Sequence, residues 1–157
     1  MTDALSSCRA LAERARFGAL ATVAREPAGF PFATLVAVAF DGGGRPLMLL
    51  SRLAEHTKNL EACPRASLLV APGLSDGAPA PSGDPLAAGR MTLVGPCARV
   101  ADGEAAQARA DFLAAHAEAA GYASLADFAP WRLEVEHVRW VGGFGRMSWV
   151  AAAEYLR

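Results

Sequence analysis

The residues best suited to chemistry lie in one segment, LLSRLAEHTKNLEACPRASLLV, at positions 49–70. An apolar strand is predicted to end at Ser51, and a polar turn then brings His56, Thr57 and Lys58 to the start of a short helix. A helix N-terminus offers unpaired backbone N–H groups and a partial positive charge, to which this turn adds a hydroxyl and an ammonium. The segment therefore predicts a phosphate site. The alternative is a surface helix with ordinary polar residues.

Outside this segment, the other histidines and the cysteines lack the spacing of a catalytic or metal site. His116 lies in an alanine-rich stretch and His137 in a charged one, and neither has a second ligand at metal spacing. Cys8, Cys63 and Cys97 are odd in number and form no C-x-x-C pair, so neither a disulfide framework nor a zinc site is predicted. No serine or cysteine triad follows from the spacing. The sequence therefore predicts no metal, and the catalytic residues stay unknown.

Length and composition limit the classes of function. The 157 residues, 53% of them apolar, fit a single domain over residues 1–157 with a sizeable core. A formal net charge of −1 argues against a nucleic-acid partner, which needs a basic face. No apolar run reaches the ~18–20 residues of a membrane span, and the N-terminus lacks the pattern of a signal peptide. We therefore expect a cytoplasmic protein with no membrane partner.

The elements that must position the 49–70 segment are mostly short strands. Asp3 to Arg16 has apolar residues at helical spacing, and Leu53–Cys63 and Asp102–Ala120 are the other predicted helices. The glycine-rich segment 41–46 predicts a hairpin between the second and third apolar runs. About six strands are expected from the apolar runs FGALATVA, PFATLVAVAF, PLMLL, ASLLVAP, RMTLVGPCARV, the alternating segment Trp131 to Val141, and MSWVA.

The proline and glycine residues between the predicted strands, and the order of strands and helices, indicate the fold class. The stretch of about residues 73–88 is rich in proline and glycine and is predicted to be a mobile loop within the domain. Gly95-Pro96 fits a bulge or an edge position. Strands and helices do not alternate regularly, and no G-x-G-x-x-G or P-loop motif opens a helix, which disfavours dinucleotide and ATP sites. We therefore expect an α+β, mainly β protein, built on an antiparallel sheet or small barrel with flanking helices.

Several motifs also occur in a specific order. The first motif is the strand FPFATLV at 30–36. It is followed by the segment at 51–70, which reads Ser-Arg, four residues, Thr-Lys-Asn-Leu, three residues, Pro-Arg-Ala-Ser-Leu-Leu-Val. DPL at 84–86 and RMTLVG at 90–95 come next. This order resembles the FMN-binding split barrels related to pyridoxamine 5′-phosphate oxidase. WRL at 131–133 and VGGFGR at 141–146 resemble the haem-utilisation, HugZ-like branch in particular. The likeness covers roughly residues 10–150.

The resemblance implies a fold, a cofactor and a partner. The fold is a six-stranded antiparallel split β-barrel that forms a homodimer, with one FMN in each of two clefts between the subunits. His56, Thr57 and Lys58 would lie by the FMN phosphate. The other cofactor-binding residues that the resemblance implies are Thr34, Leu35, Val36, Leu50, Ser51 and Arg52 along the ribityl chain and ring, with Arg90 and, from the partner subunit, Gly143, Phe144 and Arg146 at the ring end.

Two departures from the family pattern bear on activity. The Ser-Arg-Lys triplet of the oxidase is absent, because His56 stands about where its lysine would be and Lys58 lies two positions later. Val141 falls where the oxidase places an aromatic residue near its ring, and Trp140 is one step away on the opposite strand face. Both differences weaken an assignment of pyridoxamine phosphate oxidation and leave flavin binding in place.

Three functions remain open. The first is an FMN-dependent oxidoreductase acting on an unknown small molecule, in which the protein orients the flavin. The second is a flavin- or ligand-binding dimeric module without turnover, and the third is haem binding or degradation. Proteins of the haem branch often continue into a further domain that helps bind haem, whereas this sequence ends eleven residues after Arg146. We therefore expect no tight haem binding and no haem turnover.

Overall fold

A computed structural model describes residues 2–77, 79 and 83–157, and for Thr2 the backbone alone. Within these residues the chain forms nine strands and five α-helices, with a 3₁₀ turn at Ala117–Ala119. The helices are α1 (Thr2–Arg14), α2 (Glu55–Ala62), α3 (Asp102–Ala115), α4 (Ala120–Ala123) and α5 (Ala152–Tyr155). The strands are β1 (Phe17–Val23), β2 (Pro31–Ala37), β3 (Ala39–Phe40), β4 (Pro46–Ser51), β5 (Arg65–Val70), β6 (Arg90–Arg99), β7 (Phe128–Leu133), β8 (His137–Val141) and β9 (Met147–Ala151).

The strands form one antiparallel sheet in two halves that share β6. One half has the order β2-β1-β5-β6-β8-β9, and the other has the order β6-β7-β4-β3. β2 and β3 are the two ends of the main path, so the sheet does not close among the residues that the structure describes. β2 lies against β4 across this open seam without ladder pairing. A seam of this kind leaves room for a groove between two strands.

The change of partner along β6 takes place at Gly95-Pro96. A Cβ atom on Gly95 would lie 1.8 Å from the carbonyl oxygen of Glu134, so only glycine allows this approach. On either side of it, the Glu134 N–H donates to the carbonyl oxygen of Pro96 and the Glu136 N–H to that of Val94. Beyond this point β6 leaves β8 and pairs with β7 from Cys97. The two halves are therefore joined at one close backbone crossing.

The main core lies on the inner face of the larger half. Leu20, Leu68, Leu93 and Val138 are each 0% exposed, and the strand register places them side by side. Their neighbours in sequence point outward, which gives the alternation expected of half-buried strands. Full burial of one such side chain stabilises the fold by about 1.5–3 kcal/mol. This row therefore fixes which face of the sheet is interior.

A second, smaller core lies on the other half of the sheet. It is covered by the helical excursion, residues 102–123, which contains α3, the 3₁₀ turn and α4. Phe112 of α3 packs with Leu47 and Leu49 of β4 in this cluster. β4 is consequently buried on both faces, and five of its six residues are buried. That double burial explains why PLMLL is a continuous apolar run rather than an alternating one. The end of β4 is thereby held rigidly beside the open seam.

The predicted fold class is confirmed, and the strand count is wrong. The structure has nine strands within the described residues instead of about six. The segment Trp131 to Val141, predicted as one strand, is divided into β7 and β8, because Val135 turns inward at a bend made without glycine or proline. PFATLVAVAF is likewise divided, since Val38 interrupts the ladder between β2 and β3. The hairpin at 41–46 is present, with Gly44 at φ +88°.

The predicted loop of residues 73–88 falls partly outside the described residues, which omit 78 and 80–82. The part that is described contains no helix or strand. Its first turn is tied to the barrel, because the carbonyl oxygen of Ser75 accepts hydrogen bonds from the N–H groups of Arg16 at 2.6 Å and Phe17 at 3.1 Å. No helix in the described part of the chain is long and apolar enough to cross a bilayer.

Candidate functional site

A groove of about 300 Å³ lies at the open seam between β2 and β4. Leu35 and Val36 of β2 form one side, and Leu50 and Ser51 at the end of β4 form the other. His56 at the start of α2 closes one end. The fold brings these two pairs together from separate parts of the sequence, because β2 and β4 belong to opposite halves of the sheet. The structure thus brings together residues that the sequence analysis placed along one ligand.

His56 is the one basic side chain among the groove-lining residues. Its ring is half-buried, and its Nδ1 atom lies 3.2 Å from the Thr34 Oγ1 atom of β2. Burial lowers the pKa of His56 below its ordinary value of 6.5, which favours the neutral imidazole at neutral pH. Its Nε2 atom has no hydrogen bond to any residue that the structure describes. The result is an oriented, neutral imidazole with one nitrogen free.

The far wall of the groove consists of two aromatic rings that the sequence analysis missed. Tyr122 of α4 and Phe128 of β7 line it, with their ring centroids 4.9 Å apart. The register of β7 on β4 pairs Phe128 with Ser51, and Tyr122 packs on the Phe128 ring. No motif marks either residue. In the sequence, Tyr122 and Phe128 stand only as two aromatic residues near the end of the helical excursion. That position does not predict which strand they contact.

The end of β4 is fastened to this wall by side-chain and backbone hydrogen bonds. Ser51 Oγ donates to Asp127 Oδ2 at 2.8 Å, and the Arg52 N–H donates to the carbonyl oxygen of Asp127, also at 2.8 Å. The Leu53 N–H donates back to Ser51 Oγ at 3.1 Å. Ser51 is therefore engaged by the protein, whereas the Arg52 side chain is exposed and does not line the groove.

The start of α2 differs from the predicted phosphate turn. Ala54 stands at the N-cap without a side-chain cap, so the first N–H groups of the helix are open. Thr57, however, is 2% exposed, and its Oγ1 atom is buried without a hydrogen-bond partner among the described residues. Lys58 Nζ lies 3.7 Å from Glu55 Oε2. His56, Thr57 and Lys58 are adjacent in the turn and the Thr57 hydroxyl is buried, so their binding of a phosphate stays a prediction.

The second group of predicted residues lies elsewhere on the subunit. Arg90 Nη1 donates to the carbonyl oxygen of Leu86 at 3.1 Å. Gly143 has φ +98°, and a Cβ atom there would lie 2.7 Å from the carbonyl oxygen of Ala87. Arg146 hydrogen-bonds to Asp3, and Phe144 is 77% exposed. These residues surround the β8–β9 turn and do not line the groove, so their joining to it through a partner subunit stays a prediction.

Other candidate chemistry is limited in the described part of the chain. No group of three or more His, Cys, Asp or Glu residues is placed there to hold a metal ion. Burial raises the pKa of the Cys8 thiol to about 11 and, with the nearby Glu134 carboxylate, that of Cys97 to about 12. Thiols with raised pKa values are poor nucleophiles at neutral pH. The groove at the seam is therefore the best candidate site.

Comparison with known proteins places this geometry in a family. The family model described as "CREG, beta-barrel" matches residues 1–157. The non-canonical heme oxygenase HOZ from Arabidopsis thaliana chloroplasts is 34% identical over 126 residues, which are 80% of this chain and 36% of that protein. The solved structure of a heme binding protein from Mycobacterium smegmatis is 40% identical, with a TM-score of 0.85 over 97% of this chain and 59% of that chain. The chain thus spans about a third of the length of the Arabidopsis protein and about three fifths of the length of the Mycobacterium protein.

A more distant structure identifies the wider fold. A pyridoxinephosphate oxidase family protein from Clostridium acetobutylicum matches with a TM-score of 0.72 over 99% of both chains, at 11% identity. At this identity the match describes the fold alone, and it agrees with the split-barrel arrangement of two half-sheets around an open seam. The chain belongs to the CREG beta-barrel family and has the split-barrel fold of the pyridoxine phosphate oxidase-like proteins.

Proposed function

We propose that the protein binds haem in the seam groove, with His56 as the ligand of the iron. The observation that carries this proposal is the state of His56: neutral through burial, oriented by Thr34, and free at Nε2. A ligating histidine usually has its other ring nitrogen fixed by a second group, which sets the tautomer. When Nδ1–H donates to the Thr34 hydroxyl, the lone pair of Nε2 is available to a metal.

The walls of the groove suit a flat apolar macrocycle. Leu35 and Leu50 supply aliphatic surface, and the rings of Tyr122 and Phe128 supply aromatic surface. Arg52 is exposed and follows Ser51 of the groove in sequence, so its cation could pair with a ligand carboxylate in water. Bound haem would supply iron for oxygen or electron chemistry, while these residues exclude water from one face and hold the imidazole in place.

The comparisons support haem more strongly than FMN. The two relatives described above carry heme in their names, one as a heme oxygenase and one as a heme binding protein. The expectation of no tight haem binding was based on the end of the sequence soon after Arg146 and on the assignment of His56 to a phosphate. The contact of Nδ1 with Thr34 instead supports a proposal in which Nε2 of that histidine binds an iron. Haem binding is therefore the leading proposal, and FMN-dependent oxidation becomes the second.

Haemin titration followed by visible spectroscopy tests the proposal. The wild-type protein is expected to give a sharp Soret band that saturates at one haem per subunit. His56→Ala should weaken binding by at least about 100-fold, because the iron loses its protein ligand. Arg99→Gln, at an exposed arginine of β6 that pairs with Asp102 and does not line the groove, is the control and should leave the titration unchanged. Saturable binding that is the same in His56→Ala would refute the ligand assignment.

The same preparation tests turnover. Addition of a reductant and oxygen to the haem complex should either leave the Soret band in place or remove it with release of iron. The relationship to a heme oxygenase makes loss of the band the expected outcome. Iron release is measured with a ferrous chelator, since bleaching by peroxide alone also removes the band. A stable band under these conditions would limit the proposed function to binding.

FMN binding is the second candidate, and the uncapped start of α2 favours it. Ala54 leaves the first helical N–H groups open, and Lys58 is a cation beside them. If Lys58 donates a charged hydrogen bond to the phosphate, Lys58→Ala should weaken FMN binding by about 1.5–3 kcal/mol. Fluorescence titration with FMN measures this loss. Because Lys58 does not line the groove, the same variant should bind haemin like wild type, which separates the two candidates.

We also propose that the protein is a homodimer. The outer face of the larger half-sheet exposes four large apolar residues, with exposed fractions of 64% for Leu35, 64% for Trp149, 55% for Met147 and 37% for Phe17. Monomeric proteins rarely leave apolar patches of this kind uncovered. Sedimentation at micromolar concentration should give the mass of two chains. A monomer that still binds haem would contradict the dimer.

A further inference from the structure

A closed cycle of hydrogen bonds joins four residues beside the second core. The Val38 N–H donates to the carbonyl oxygen of Arg16 at 2.9 Å, and His116 Nε2 lies 2.9 Å from the carbonyl oxygen of Val38. His116 Nδ1 lies 3.2 Å from Glu118 Oε1, and Arg16 Nη2 donates to the same oxygen at 3.0 Å. This hydrogen-bonded cycle ties the residue before β1 and the break between β2 and β3 to the helical excursion.

One of the four links depends on a proton that the donor can lose. The Val38 N–H and the Arg16 guanidinium are permanent donors. The carbonyl oxygen of Val38 can only accept, so His116 carries a proton on Nε2. A neutral imidazole with that proton has a bare lone pair at Nδ1, directed at Glu118. The fourth link therefore needs a second proton, either on Nδ1 or on the carboxyl group.

Glu118 is the acceptor in this link. Its side chain is 61% exposed and is paired with Arg16. A hydrogen bond from its own backbone N–H, followed by the one from the His116 ring, lowers the pKa of Glu118 below its ordinary value of 4.5. The group is consequently a carboxylate at neutral pH. The contact between Nδ1 and Oε1 is then a hydrogen bond only when His116 is an imidazolium.

The surroundings of the imidazole bear on its charge. His116 is buried, stacked on Phe112 of α3 at 4.7 Å between ring centroids, with Phe17 of β1 edge-on at 6.0 Å. Among the described residues, the charged groups that face it are Glu118 from its own turn and, through Glu118, Arg16. A carboxylate and an aromatic face stabilise an imidazolium, whereas burial disfavours it. The charge of His116 is thus the variable on which the cycle depends.

The cycle holds a segment that reaches the seam groove. The Ala119 N–H donates to the carbonyl oxygen of His116 at 3.0 Å, and α4 begins at the next residue. Tyr122 of α4 lines the groove, with its ring centroid 4.9 Å from that of Phe128. Only the 3₁₀ turn and the start of α4 lie between the histidine and this wall. Release of the cycle at Glu118 would therefore loosen the segment that carries the wall.

We propose that His116 is a pH-dependent latch on the wall of the seam groove. The doubly protonated imidazole binds Glu118 and closes the cycle. Loss of the Nδ1 proton opens it, so that residues 116–123 separate more often from β1 and the Tyr122 wall opens more often, while the closed form remains the major one. The latch stabilises the segment at acid pH, and this contribution is lost as the pH rises. It requires no ligand and does not rest on the proposed haem function.

Nuclear magnetic resonance of the full chain, labelled with ¹⁵N, tests the latch directly. Between about pH 5 and about pH 9, the Nδ1 signal of His116 should move from the position of an N–H to that of a bare nitrogen, while Nε2 keeps its proton. Amide-exchange protection of residues 116–123, corrected for the intrinsic rate at each pH, should fall about 10-fold across the same transition. His56 gives its own signals and is followed separately. A His116 ring that keeps one protonation state throughout, or protection that does not follow its titration, would overturn the latch.

Glu118→Gln makes the test specific to the fourth link. The side chain keeps its length, and its amide N–H can donate to the bare Nδ1 of a neutral His116. Protection of residues 116–123 should then no longer fall as the pH rises, although the ion pair with Arg16 is lost. Arg157→Gln removes an exposed ion pair with Glu13 outside the cycle, and this matched control should keep the wild-type pH response. The same pH response in Glu118→Gln as in wild type would overturn the role of Glu118 and, with it, the latch.

Discussion

His56 and His116 are the same residue type in two regions that use it differently. His56 lies half-buried at the open seam, with one ring nitrogen bonded and the other free of protein partners in the described structure. His116 follows α3 and is 1% exposed, with its Nε2 atom 2.9 Å from the carbonyl oxygen of Val38 and its Nδ1 atom 3.2 Å from Glu118 Oε1. One imidazole keeps a binding capacity, and the other has none left.

The packing around His116 shows what its two hydrogen bonds accomplish. The ring stacks on Phe112 at a centroid distance of 4.7 Å and meets the edge of Phe17 at 6.0 Å. Its bond to Val38 ties the end of the helical excursion to the residue that separates β2 from β3. The excursion also carries Tyr122, a wall of the groove. The interior histidine therefore supports the site without contacting a ligand.

The largest expected effect comes from removing the interior histidine. His116→Ala should destabilise the fold by about 2–4 kcal/mol, because it leaves the Val38 carbonyl oxygen unpaired and opens a cavity against Phe112. Urea unfolding measures this change. The exposed residue His137 is the matched control, and His137→Ala should shift stability by less than about 0.5 kcal/mol. Equal stabilities for the two variants would show that the buried hydrogen bonds of His116 contribute nothing.

A smaller effect is expected from the group that orients His56. Thr34→Val removes the hydroxyl, keeps the β-branched shape and should weaken haemin binding about 10-fold, as loss of a second group behind a ligating histidine does. Thr34→Ser retains the hydroxyl and should restore most of the affinity. The two variants differ in the position of the Soret maximum if the tautomer of His56 changes. Identical titrations of both would mean that Thr34 does not position the ring.

The local features of the fold could be predicted from the sequence. The hairpin at Asp41 to Pro46 and the helix at Glu55–Ala62 follow from residues within one turn of each other, and both are present. The bend between β7 and β8 was missed because it is made by a backbone crossing at Gly95, about forty positions earlier in the chain. A turn held by a distant strand leaves no glycine or proline of its own to mark it.

In the candidate site, too, residues marked by local sequence could be predicted, and residues brought in by strand pairing could not. His56 was found because it lies in a polar turn after a strand, although its predicted partner was a phosphate and the structure pairs it with Thr34. Tyr122 and Phe128 depend on the register of β7 against β4. The alternation of apolar and polar residues predicts which face of the sheet a side chain lies on, but it does not predict which strand pairs with which.

The smallest expected effect is the pH dependence that the burial of His56 creates. Its folded-state pKa lies below the ordinary 6.5, so between these two values the unfolded chain binds more protons than the folded one. The corresponding stability is present above pH 6.5 and is lost as the pH falls below it. Haem affinity should follow the same direction, because only the neutral imidazole binds iron. Haemin titrations from pH 8 to pH 5 should therefore show a plateau and then a decline that begins below pH 6.5. An affinity that already falls above pH 7 would show that another group controls binding.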